Sequence, residues 1–82
     1  MDLIMPTVLK IGAYRFFFFS QEGNEPPHIH IEEGDKVAKY WLNPVEIASS
    51  VGFKSYELTK IRSLVIEHKL LFLEKWNAHF SH

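Results

Sequence analysis

Two glycine-led dipeptides, Gly12-Ala13 and Gly34-Asp35, each split a run of β-branched and aromatic residues, and this punctuation limits the accessible folds sharply. "TVLKI" (7–11) and "YRFFFFS" (14–20) flank the first dipeptide, while "HIHIEE" (28–33) and "KVAKYWL" (36–42) flank the second. Two-residue connections between such runs predict antiparallel hairpins. The intervening "QEGNEPP" (21–27) reads as a loop. Gly23-Asn24 supplies turn chemistry there, and Pro26-Pro27 cannot donate to a ladder just ahead of the third strand. The expected sheet is a four-stranded antiparallel meander.

Asn43-Pro44 should end the sheet and open a short helix over 44–51, with Asn43 as N-cap, Pro44 in the first turn and Gly52 closing it. A single long helix is expected from about Ser55 to Phe80, capped by Ser55, with Glu57 at the positive end of its dipole. At helical spacing Leu58, Ile61, Val65, Phe72 and Trp76 form one stripe, with His68 and His79 inside it, and that stripe should pack on one face of the sheet. The fold class is α+β. Ile66, Leu70 and Leu73 form a second apolar line off the stripe. Either the short helix (Ile47, Val51) and Phe53 cover it, or it is a surface for a partner or for a homodimer.

No repeat or linker divides the 82 residues, so one domain over 1–82 is expected, with 1–4 as a disordered extension ahead of Met5-Pro6-Thr7. Cysteine is absent, which removes disulfides and thiolate zinc sites as staples and fits a reducing cytoplasm. A chain this short then needs a rich core, and twelve Phe, Trp and Tyr supply one. Nine Lys and Arg stand against ten Asp and Glu, a net charge of −1, so nucleic-acid binding would need a local positive cluster. Met1 to Met5 lacks the basic-then-apolar order of a signal peptide, and the longest apolar run is too short to span a bilayer. The expectation is a cytoplasmic protein with no membrane contact.

The hairpin turns also fix a register. Glu33 should face Lys36, His30 face Lys39 and His28 face Trp41, while Leu9, Lys10 and Ile11 face Phe16, Arg15 and Tyr14. Alternation then sends Ile29, Ile31, Ala38 and Tyr40 to the core face. Lys10, Arg15, Phe17, Phe19, His28, His30, Glu32, Lys39 and Trp41 share the other, which the long helix should leave uncovered. Three readings of His28 and His30 stay open. They are ordinary strand residues bonded to neighbours. Or they are a His-x-His metal pair, about 7 Å apart at Cα, with Glu32 as a third ligand for an ion such as zinc. Or they perform metal-free acid–base chemistry on RNA, where His28 and His30 move protons and Arg15 and Lys39 steady the developing phosphorane charge. In that last case Phe17, Phe19, Trp41 and Lys10 would bind the chain by stacking and charge. Glu22 and Glu25 read as solvated loop charges, Glu25 being a minor candidate to orient His28, and His79 and His82 as a frayed end.

From Met5 to Phe80 the chain resembles a family of small bacterial proteins, domain of unknown function 4160. The matching stretches are "MPTVLKIGAYRFFFFSQEGNEPPHIHIEE", "AKYWLNPVEIASSVGF" and "SYELTKIRSLVIEHKLLFLEKW", with "EGNEPPHIH" the most distinctive. The resemblance implies a small protein encoded beside another short protein, some members being classed as toxins of type II toxin–antitoxin pairs. A cognate antitoxin-like partner is therefore expected. No catalytic residue is carried over from the family. The leading expectation is a toxin-like protein acting on RNA, with a non-enzymatic interaction module and a metal-binding protein as alternatives.

Overall fold

A computed structural model describes residues 7–80; the expected 1–4 extension and His82 lie outside the described residues. Five strands form one antiparallel sheet in chain order: β1 (Leu9–Ile11), β2 (Tyr14–Phe17), β3 (His28–Glu33), β4 (Lys36–Leu42) and β5 (Val45–Val51). Two helices follow, α1 (Ser55–Glu67) and α2 (Lys69–Phe80), giving an α+β fold. Both hairpins take the register that their turns imply, with Leu9 opposite Phe16, His28 opposite Trp41, His30 opposite Lys39 and Glu33 opposite Lys36. Gly34 makes its turn possible, because its φ of 61° would strain a residue with a Cβ.

The expected helix over 44–51 is instead β5. Leu42 pairs with Val45 across Asn43-Pro44, so this dipeptide is a hairpin connection rather than a helix start. "VEIASSV" is rich in β-branched residues and finds a ladder ready on β4, which settles a stretch too short for its period to discriminate. Tyr40 pairs with Ile47 and Lys39 with Ser49, so Ala48 bulges out of the ladder. The long helix is also divided. His68 leaves helical geometry at φ −107°, ψ 15°, and its ring Nδ1–H and backbone N–H both donate to Leu64 O, at 2.9 and 3.1 Å. The start of α1 is capped from Lys54, whose N–H donates to Glu57 Oε1 at 3.0 Å, not by Ser55.

The core lies between the helices and the face carrying Phe16, Ile29, Ile31, Ala38 and Tyr40. Ile61, Val65, Phe72 and Trp76 of the predicted stripe are buried against it and Leu58 partly so. Phe72 stacks on Phe16 with ring centroids 5.3 Å apart, and the buried Tyr40 hydroxyl donates to Leu58 O at 2.8 Å. The second apolar line does not act as one surface. Leu73 packs on the core, whereas Ile66 and Leu70 stay 46 and 82% exposed. No helix among the described residues is long and apolar enough to cross a membrane.

Helix α1 is tied to the second hairpin by Lys36, whose Nζ lies 2.8 Å from Glu57 Oε2 and 3.0 Å from Glu33 Oε1. The Glu57 bond, with Glu33 assisting, raises the Lys36 pKa, and the Lys36 bond together with the Lys54 N–H lowers that of Glu57. The lowered Glu57 stabilises the fold above the ordinary carboxyl value of 4.5 and loses that contribution as pH falls through its folded value. The raised Lys36 contributes below 10.5 and loses its contribution as pH climbs through its folded value. Melting curves across pH should therefore show Glu57→Gln trailing the wild type most at neutral pH and converging with it in acid. A gap that stays constant down to acid pH would contradict this.

Candidate functional site

On the face opposite the helices, register brings Arg15 beside Glu32, Phe17 beside His30, and His30 beside Lys39. The expected neighbours thus meet, but not as an open basic surface. Phe17 is only 4% exposed and His28 is fully buried. His28 opens β3 at the end of the sheet where α2 passes, and Trp76 reaches it with ring centroids 4.8 Å apart. Trp41 and His30 complete its surroundings at 5.6 and 5.1 Å. The expectation that both imidazoles stand clear of the C-terminal helix therefore fails for His28. His30 keeps partial exposure, flanked by Phe17 at 5.5 Å and Phe19 at 4.7 Å.

The centre of the site is Glu22, delivered by the loop between β2 and β3. The Phe19 N–H donates to its Oε1 at 3.0 Å, which fixes the carboxylate. His30 Nε2 lies 2.8 Å from Oε2 and 3.0 Å from Oε1. His28 Nε2 also lies 2.8 Å from Oε2, yet this contact is not aligned as a hydrogen bond, and the buried nitrogen has no other partner. The second ring nitrogen of His28, Nδ1, is 3.0 Å from Pro26 O and donates to it. Burial pushes the Glu22 carboxyl up, but the hydrogen bonds from His30 and from the Phe19 N–H outweigh it and hold the group below its usual range. Burial depresses His30, against the opposing pull of Glu22.

The cations of this face are engaged. Arg15 Nη1 donates to Glu32 Oε1 at 2.9 Å, its Nε donates to Thr7 Oγ1 at 2.7 Å, and its guanidinium lies 4.3 Å over Phe17. Lys39 Nζ donates to Glu25 Oε1 at 2.6 Å and sits 4.6 Å over Trp41. Glu32 is thus the partner of Arg15 and is not gathered with the histidines, while Glu25 engages Lys39 with its Oε1 4.0 Å from His28 Nδ1. Lys10 is exposed on β1. A face whose Arg15 and Lys39 face carboxylates attracts phosphate far less than its sequence suggested.

A second feature is the strand edge. β1 is three residues long and carries Lys10, two devices that discourage edge pairing. β5 is seven residues long, has neither Lys nor Pro, and exposes Ile47 (46%) and Val51 (67%). Its bulge at Ala48 and the charge of Glu46 are the features of β5 that deter edge pairing. Beside it a cleft of about 500 Å³ opens toward α1, lined by Tyr40, Glu46, Ile47, Leu58 and Arg62 among others. Arg62 makes no hydrogen bond or ion pair among the described residues.

Sequence reasoning missed Glu22 and the β5 edge. The one sequence signal for Glu22 was a carboxylate inside the loop leading to His-x-His. A family model described as "Domain of unknown function (DUF4160)" matches residues 13–77. Neither a curated protein nor a solved structure matches the chain.

Proposed function

The chain belongs to the DUF4160 family, and from that premise we propose that it is the toxin-like member of a two-protein module whose working contact is strand addition along β5. The observation that carries this reading is the asymmetry of the two sheet edges: β1 has only three residues and carries a lysine, while β5, seven residues long, has no neighbour on its outer side among the described residues and lies beside a largely apolar cleft. An added strand gains affinity from main-chain hydrogen bonds and specificity from side chains entering such a cleft. Arg62, which pairs with no carboxylate among the described residues, favours an acidic residue on the incoming segment. The test is co-purification with the small protein encoded alongside. Ile47→Lys and Arg62→Glu should each weaken the association at least tenfold, about 1.4 kcal/mol, while the fold is retained. Association unchanged by both would overturn the proposal.

Action on RNA is the second reading. It is supported by His30, a carboxylate-held imidazole between two aromatic rings with partial solvent access. Growth arrest on expression that His30→Ala abolishes, in a protein that still folds, would favour it. Arrest that survives His30→Ala, and that the co-expressed neighbouring protein relieves in the wild type but not in Ile47→Lys, would leave the interaction alone.

A further inference from the structure

We propose that Glu22, His28 and His30 form a binding site for one divalent first-row transition ion, with zinc as the reference cation. The inference is independent of the partner reading, because it uses none of the residues along β5.

The argument starts from His28. The ring is fully buried, and its Nδ1–H is committed to Pro26 O at 3.0 Å. A histidine that ligates a metal donates its far nitrogen in this way, to a backbone carbonyl or a carboxylate, which fixes the ring and directs the other lone pair at the ion. The lone pair of Nε2 then points into a space shared with Glu22 Oε2 at 2.8 Å. Two electron-rich atoms that close need a positive charge between them. A bridging proton would call for the straight N–H···O line that this pair lacks. A metal ion has no such requirement, because it accepts both lone pairs from one side.

His30 supplies the third donor. Its Nε2 lies 2.8 Å from the same Glu22 oxygen, and one ligating atom from each of the three residues falls within 4.8 Å of the others. In a tetrahedral zinc site with bonds of roughly 2.0–2.1 Å, neighbouring ligand atoms stand about 3.3 Å apart. The cluster needs only a small outward movement of Glu22, and Glu22 sits on a loop rather than in a strand. Its other oxygen is already anchored by the Phe19 N–H at 3.0 Å, so Oε2 is the oxygen left to bind. Two imidazoles with one carboxylate suit zinc, cobalt, nickel or iron(II) rather than magnesium or calcium, which prefer oxygen donors. Three protein ligands leave a coordination position for water or an exogenous ligand. The surrounding rings of Trp41, Trp76, Phe17 and Phe19 make the shell apolar and strengthen each bond inside it.

Titration of the purified full chain with zinc chloride, followed by calorimetry and by elemental analysis after dialysis, tests the site. One ion per chain is expected. Binding should also change the tryptophan fluorescence, since Trp41 and Trp76 both lie against His28. Glu22→Gln preserves the shape of the side chain and should lower affinity at least tenfold. His30→Asn should do the same, and His68→Gln, remote from the cluster, should have no effect. Cobalt(II) in place of zinc should give the absorption bands of a four-coordinate ion, lost in Glu22→Gln. The wild type binding no zinc while folded would overturn the assignment. So would Glu22→Gln and His30→Asn binding as tightly as wild type, because any zinc would then sit on surface histidines. Ile47→Lys should bind zinc normally, so that failure of the partner reading and failure of the metal site are told apart.

Discussion

Phe72→Ala is expected to lower the folding stability by about 3–5 kcal/mol, in the range of buried aromatic truncations. Phe72 is completely buried, stacks on Phe16, and joins α2 to the sheet across the core. Its removal takes away the transfer energy of the ring and leaves a cavity between two layers that the sheet is too stiff to close. For a domain of this size each kcal/mol shifts the melting temperature by roughly 4–8 °C, so the variant should melt well below the wild type or fail to fold at physiological temperature. Phe72→Leu refills much of the space and should lose markedly less. Urea denaturation compares the three. A Phe72→Ala loss below about 1 kcal/mol would mean that α2 is not held as described.

His28→Ala should be the more damaging of the two histidine substitutions, at about 2–4 kcal/mol, combining a cavity with stranded polar groups. The ring fills space between Trp41 and Trp76, and its loss leaves Pro26 O without a donor and the Glu22 carboxylate short of one imidazole. His30 is partly exposed, and Glu22 would keep the Phe19 N–H, so His30→Ala should cost less, about 1–2 kcal/mol. Denaturation after chelator treatment gives both values on the metal-free chain, and equal losses would refute the ranking. The ranking also governs how activity data are read. Loss of growth arrest in a double His28/His30 variant would report unfolding as readily as chemistry, whereas His30→Ala alone isolates the accessible imidazole. His30 is therefore the position at which an acid–base role can be separated from folding.

Helix α2 also braces the loop that carries Glu22. A Cβ on Gly23 would lie 2.7 Å from Phe80 Cδ1, so the loop backbone rests directly on the last turn of α2. The rings of Trp76 and Phe80 pack with centroids 4.2 Å apart, and Trp76 continues the contact to His28. The histidine–carboxylate centre thus depends on residues about fifty positions apart in the chain.

How much of this could be read beforehand follows from the range of each interaction. The pairing of β1 with β2 and of β3 with β4 was legible, because two-residue turns and alternation act between near neighbours and leave one register free of conflict. The stripe Ile61, Val65, Phe72 and Trp76 was legible for the same reason, despite the interruption at His68. "VEIASSV" was misread because seven residues after Asn-Pro carry caps that suit a helix and β-branched side chains that suit a strand. The ladder offered by β4 decided between them. Glu32 was favoured as a third ligand because it shares the strand period with the histidines, yet Arg15 lies directly opposite and claims it. Glu22 had no period at all to reveal it.

By itself the sequence determined the antiparallel sheet, the side of it that each residue of β3 and β4 occupies, and the stripe by which the helices attach. Those properties follow from dihedral preferences and side-chain alternation, which are set within a few residues. Only the tertiary structure decided that Trp76 closes over His28, that Glu22 turns inward to meet both imidazoles, and that β5 is an edge strand among the described residues. Each of these needs a loop or a helix to return from far along the chain, and the energy that selects it, burial and charge pairing in one small volume, exists only once the layers have met.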